Sequence, residues 1–263
     1  MNFQQKSVYD MNDLLEVVKI LRGENGCPWD REQTHQSVRR NFLEETYEAL
    51  EAIDKNDAAL LKEELGDVLY QVVFHAEMEE ETGSFNFNDV VDGICKKLIH
   101  RHPHVFGDTT VNSTEDVIRN WDEIKKDEKG QTEQSDTLKS IPSILPALMR
   151  SNKVQERAAK SGFDYPDVDY AFNDFESELF DLKHAIRSSD MESINKELGD
   201  LIFNCVNVAR FLGLDPEKCL NDSTDEFIRR FEKVESIAKA QNIDLKHCSI
   251  QKHNDLWKQA KEK

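Results

Sequence analysis

The stretch DAALLKEELGDVLYQVVFHAEMEEETG, residues 57–83, decides the fold. Its apolar residues recur at helical spacing and cover most of the circumference, and Gly83 supplies a stop. A helix that is apolar over so much of its surface belongs in a core. Yet Glu64 and Asp67, one turn apart, sit on the buried side among Leu60, Leu61, Val68, Gln71 and Phe74. Acids kept on that side of a core helix point to a ligand or a partner, because burying an uncompensated charge is costly.

Helical periodicity extends from this stretch in both directions. It predicts helices over about 11–22, 34–55, 57–82, 88–101 and 114–128, the last opened by Ser113 and Asp116 in capping-box spacing. Residues 23–30 (GENGCPWD) read as a turn. Lys129–Ser140 is polar and reads as a linker. Five more helices follow over about 145–159, 170–187, 191–212, 216–241 and 250–261. Only 10 Gly and 6 Pro interrupt 263 residues, and strand-like alternation is nearly absent, so the chain reads as all-α.

The second half repeats the first. Glu63-Glu64-Leu65-Gly66-Asp67 answers to Lys196-Glu197-Leu198-Gly199-Asp200, and Glu44-Glu45-Thr46-Tyr47-Glu48 to Ser177-Glu178-Leu179-Phe180-Asp181. Sixteen residues separate Glu48 from Glu64, and also Asp181 from Glu197. Lys97 to Arg101 matches Glu226 to Arg230, and Trp121 with Lys125 matches Trp257 with Lys261. Several correspondences in one order indicate a duplication. The domains are expected over 1–130 and 143–263, joined by a linker at 131–142.

In the first copy, Glu45 and Glu48 share one helix face and Glu64 and Asp67 another. A short turn near Asn56-Asp57 favours antiparallel packing, which lets the four acids converge. Two carboxylates ~4 Å apart repel by about 4 kcal/mol at an effective dielectric of ~20. Such a cluster therefore calls for a metal or for raised pKa values. Oxygen-only ligands suit Mg²⁺, or Mn²⁺, rather than zinc. For Glu45 and Glu48, pattern alone leaves a solvated acidic face open as well.

Composition narrows the function classes. The formal charge of -18 works against polymeric nucleic acid, and it would repel a small phosphate substrate unless divalent ions reverse the local field. Five scattered cysteines without a CxxC pair read as reduced thiols, and no apolar run is long enough to suggest a signal peptide or a membrane span. A cytoplasmic protein with no membrane partner is expected.

Glu44-Glu45-x-x-Glu48 followed by Glu64-x-x-Asp67 resembles the signature of the all-α nucleoside triphosphate pyrophosphohydrolases. With the duplication, GCPWD at 26–30 and RHPHVF at 101–106, the layout resembles the MazG family specifically, from about Asn12 to Lys261. The resemblance implies two tandem helical-bundle domains, a homodimer formed by four-helix packing, Mg²⁺ dependence, and cleavage of nucleoside triphosphates to monophosphate and pyrophosphate in nucleotide-pool housecleaning. It implies Glu45, Glu48, Glu64 and Asp67 as metal ligands and Glu44 as an outer acid acting on the attacking water. Lys97 and Arg101 would contact the triphosphate, with Trp121 near the nucleotide.

In the second copy it implies Glu178, Asp181, Glu197 and Asp200 as ligands, with Arg230 and Trp257 on the substrate. There, however, Ser177 and Asp181 replace two glutamates, and Glu226 stands where the first copy has Lys97. A glutamate at 226 would repel a triphosphate, so the first copy is expected to be the working site.

Other signals weigh less. Cys27-Pro28-Trp29 reads as an anchoring loop, and His100, His102 and His104 as residues at a helix end near Pro103. No glycine-rich phosphate cradle is present. Di-iron bundles need two Glu-x-x-His motifs; a single one occurs, Glu32-Gln33-Thr34-His35, away from the other acids. A non-catalytic helical scaffold with a vestigial acidic site is the alternative.

Overall fold

A computed structural model describes residues 3–128 and 130–261, and among them every regular element is helical. The chain divides into two compact units, Met1–Lys125 and Lys126–Lys263. Two tandem helical domains are therefore what the chain folds into.

The first unit begins with α1 (Met11–Arg22), whose N-terminus is closed by a capping box between Asp10 and Asp13. The short α2 (Pro28–Glu32) begins inside the stretch read as a turn and runs two residues past it. It is held from outside. The Arg22 guanidinium donates to the Asp30 carbonyl oxygen at 2.6 Å, pairs with Glu81 and lies over the Phe74 ring. Next come α3 (Arg39–Asp54) and α4 (Ala58–Thr82), which pack as an antiparallel hairpin.

α3 starts five residues later than periodicity predicts. Thr34 and Ser37 bond each other's backbone N–H through their hydroxyls, and this local turn competes with helix. Asn56, with φ 53°, takes the left-handed conformation that turns the chain, and Asp57 caps α4. Gly83, with φ 75°, ends α4. Val18 of α1, Val38, and Val73, Phe74 and Met78 of α4 form the core. α5 (Phe87–Arg101), the four-residue α6 (Pro103–Phe106) and α7 (Thr114–Glu128) follow, and α5 packs on α4.

In the second unit the polar stretch read as linker carries a helix, α8 (Gln134–Lys139). Glu133 and Asp136 form its capping box, and Arg157 donates to the Thr137 carbonyl and to Ser140 Oγ. That tertiary anchor compensates for the lack of large apolar residues. α9 (Ala147–Lys160) carries Arg157 and packs on α11 (Met191–Phe211). α10 (Val168–Ser188) and α11 form the second antiparallel hairpin, turned at Ser189 with φ 57°. α12 (Pro216–Ala240) and α13 (Ile250–Lys261) close a smaller core of Val234, Ala238, Leu256 and Ala260. None of the described helices is long and apolar enough to cross a membrane.

Candidate metal and nucleotide site

Each hairpin carries an acid set across its two helices. In the first, Glu45 and Glu48 lie one turn apart on α3, and Glu64 comes from the first half of α4. One carboxylate oxygen from each lies within 4.8 Å of the others. Small residues on α3, the buried Ala49 and Ala52, let the helices approach there. Glu64 is only 7% exposed. Burial, followed by the charges of Glu48, Glu63 and Asp67, raises its pKa above the usual carboxylate value. Burial also raises that of Glu45, with Asp67, Glu48 and Glu44 adding to it.

Asp67, expected on the buried side with Glu64, is instead exposed and stands outside the trio, yet its charge acts on both Glu45 and Glu64. Glu44 is turned to Arg40, in an exposed ion pair at 2.7 Å, rather than into the trio. Among the described residues no Lys or Arg pairs with Glu45, Glu48 or Glu64. An all-oxygen set in which the pKa values of Glu45 and Glu64 are raised, with no internal counterion among the described residues, fits a hard divalent cation.

The second set is built differently. Glu178, Glu197 and Asp200 bring oxygens within 4.8 Å of one another, while Asp181, one methylene shorter than the Glu48 it replaces, falls outside. Burial and the charges of Asp200, Asp174, Glu197 and Asp181 raise the Glu178 pKa. Lys196 enters this set, with Nζ at 2.9 Å from Glu197 and 3.0 Å from Asp200. Those contacts raise its own pKa strongly. The first copy has Glu63 at that place. In the sequence the pairing shows only as an i,i+4 Lys–Asp spacing, which is common on solvated helix faces.

The cations behave differently too. Lys97, on the exposed surface of α5, makes no ion pair among the described residues. Arg101 lies one turn beyond it on the same helix. In the second copy Glu226 pairs with both Arg229 and Arg230, the latter at 2.5 Å. Arg230 also lies over the Trp257 ring, 5.1 Å from its centroid. Trp121 packs edge-on against His102 at 4.9 Å with Lys125 Nζ 5.5 Å from its ring, and its Nε1 is buried without a partner.

Sequence reasoning missed one cluster altogether. His35 and His75 stack, with ring centroids 5.0 Å apart and Nδ1 atoms 2.7 Å apart, and His35 Nε2 lies 2.7 Å from Glu79. Forty residues separate the two histidines, so no local spacing announces them.

Residues 33–106 and 175–235 match the MazG nucleotide pyrophosphohydrolase domain, and each segment contains one acid set. This chain belongs to the MazG family. It is 41% identical over 249 residues to the nucleoside triphosphate pyrophosphohydrolase/pyrophosphatase MazG of Thermotoga maritima, covering 95% of this chain and 94% of that protein. It is equally 41% identical over 253 residues to the nucleoside triphosphate pyrophosphohydrolase of Escherichia coli K12, covering 94% and 95%. Bacillus subtilis YabN, named as uncharacterized, is 42% identical over 98% of this chain and 53% of its own length. In MazG terms Trp121 and Trp257 lie outside both matched segments.

Proposed function

We propose that this chain is a Mg²⁺-dependent nucleoside triphosphate pyrophosphohydrolase, working through its first acid set. The observation that carries the reading is the convergence of Glu45, Glu48 and buried Glu64 within 4.8 Å inside a matched family segment. Glu45, Glu48 and Glu64, with Asp67 beside them, would hold Mg²⁺; Mn²⁺ suits the same donors. The bound ion supplies charge neutralisation of the triphosphate and a lowered pKa for water.

The chain's own groups do the rest. Lys97 and Arg101 take the negative charge of the phosphate chain, and Trp121 lies beside the nucleotide. Glu44, which here pairs with Arg40, would have to turn from it toward the trio to orient the attacking water and draw its proton as oxygen adds to the α phosphorus. The bond between that phosphorus and the bridging oxygen breaks, and pyrophosphate leaves with the bridging oxygen.

Nucleotide-pool housecleaning in the cytoplasm is the role proposed with that activity. A homodimer is part of the proposal. Leu43, Tyr47, Leu50 and Ile53 on α3 and Ile94 and Leu98 on α5 stay exposed, and a second copy would cover them. Incubating the protein with a panel of triphosphates and Mg²⁺ tests the reaction. Monophosphate and pyrophosphate are expected in equal amounts; orthophosphate as first product would sink the cleavage position. A scaffold with a vestigial site would release neither.

A further inference from the structure

The sequence reads Cys27-Pro28-Trp29 as an anchoring loop, and the structure divides that role differently. Trp29 is 57% exposed, whereas its neighbour Asp30 is only 7% exposed. Asp30 is the anchor. The Tyr70 hydroxyl of α4 donates to its carboxylate, and Arg22 of α1 donates to its carbonyl oxygen. The backbone around it is pinned as well. The Cys27 N–H donates to the Leu21 carbonyl at 2.8 Å, and a Cβ at Gly26 would come within 2.2 Å of the Ile20 and Leu21 carbonyl oxygens. Arg31 donates to the Glu24 carbonyl, and Gln33 to that of Trp29. Packing an indole away from water is favourable, yet a fixed backbone holds this one out.

The anchor determines where the indole is displayed. Tyr70 lies three residues beyond Asp67 on α4, one turn along the same side and about 4.5 Å further along the axis. Its bond to Asp30 sets α2 against the Asp67 side of the helix that carries Glu64. The duplicated half agrees. Its counterpart of this turn is Gly162-Phe163-Asp164-Tyr165, and the charge of Glu178, a member of the second acid set, acts on the Tyr165 hydroxyl. That hydroxyl is already engaged, donating to Asp174 at 2.9 Å. Trp121, the other tryptophan of the first unit, is engaged too, by His102 at its edge and Lys125 over its ring. Of these three aromatics, Trp29 is the one most exposed.

We propose that Trp29 is the base-stacking residue of the first site, laying its indole face against the nucleobase of a triphosphate whose phosphates lie at the acid set. The proposal rests on the reading of that set as a triphosphate site. One helical turn and a tyrosine side chain separate Asp67 from α2, a span comparable to the reach from a nucleotide's phosphates to its base. A metal, Lys97 and Arg101 recognise phosphate charge alone, which a bare polyphosphate also carries. An aromatic face adds recognition of the base, and every base has a π face to offer it.

Isothermal titration calorimetry of the whole protein in Mg²⁺ tests this with two ligands that differ by the nucleoside. One is the α,β-methylene analogue of ATP, the other inorganic tripolyphosphate. Trp29→Leu removes the ring and Trp29→Phe keeps one. Trp29→Leu is expected to bind the analogue about tenfold more weakly than wild type and tripolyphosphate unchanged. Trp29→Phe should retain most of the analogue affinity. Melting temperatures of both variants should match wild type, which separates lost stacking from lost folding. Analogue binding unchanged in Trp29→Leu, or equal weakening of the two ligands, would overturn the proposal. Hydrolysis of ATP by the same wild-type preparation keeps the two readings apart. Pyrophosphate release with analogue binding indifferent to Trp29 defeats this inference alone; Trp29-dependent binding without release defeats the hydrolase reading alone.

Discussion

In the N-terminal unit, Glu45, Glu48 and Glu64 converge with no ammonium or guanidinium from the described residues among them; in the C-terminal unit, Lys196 reaches both Glu197 and Asp200. The hairpins are alike and the acids fall at the same spacing. What differs is the source of compensating charge. On the proposed reading the first set would take it from a bound ion, whereas the second has built it in. Among the described residues Arg230 is committed to Glu226, whereas Lys97, at the place of Glu226, makes no ion pair. A duplicated acidic site can thus keep its shape while its electrostatics are closed by two substitutions, at the places of Glu63 and Lys97.

The comparison can be broken or sharpened at those places. The largest effect is expected from Lys97→Glu, which gives the first copy the charge of the second; kcat/KM for triphosphate hydrolysis should fall about 100-fold. A change of less than about twofold would remove Lys97 from the account. A smaller effect is expected from Lys196→Glu, which gives the second copy the charge of the first. Mn²⁺ titration should then show affinity at the second set about tenfold tighter than in wild type. Unchanged affinity would show that the ammonium is not what closes that set.

The smallest effect concerns pH. Glu45 and Glu64 have folded pKa values raised above 4.5, so the folded protein binds these protons more tightly than the unfolded chain does. Their contribution to stability is present below the unfolded value and is lost as pH rises through the raised folded values. Without metal, the melting temperature of the first unit should decline across that window by a few degrees, about 2–4 °C per kcal/mol. Saturating Mg²⁺ should remove the decline. A rise over the same window would contradict the raised values.

Much of this was legible before any coordinates. α1, α7 and α13 have the bounds that periodicity, caps and breakers predict, because each is long enough for its own pattern to decide. α2 and α8 were not legible. They are stabilised by Arg22 and Arg157 reaching back from other helices, a tertiary contribution that no local window contains. The acid trios followed the i,i+3 spacing, but which members converge did not. Asp181 drops out of the second trio because its side chain is shorter than glutamate, while Asp67, at full spacing, stays outside the first. The Glu79, His35 and His75 relay joins α4 to the loop before α3 and could not be read from either segment alone.

Steady-state hydrolysis by Glu45→Ala beside Glu178→Ala tests the asymmetry most directly. The first substitution should abolish pyrophosphate release, a loss of about 1000-fold or more, and the second should leave turnover intact. Intact turnover in Glu45→Ala together with its loss in Glu178→Ala would place the working site in the other copy and contradict the account.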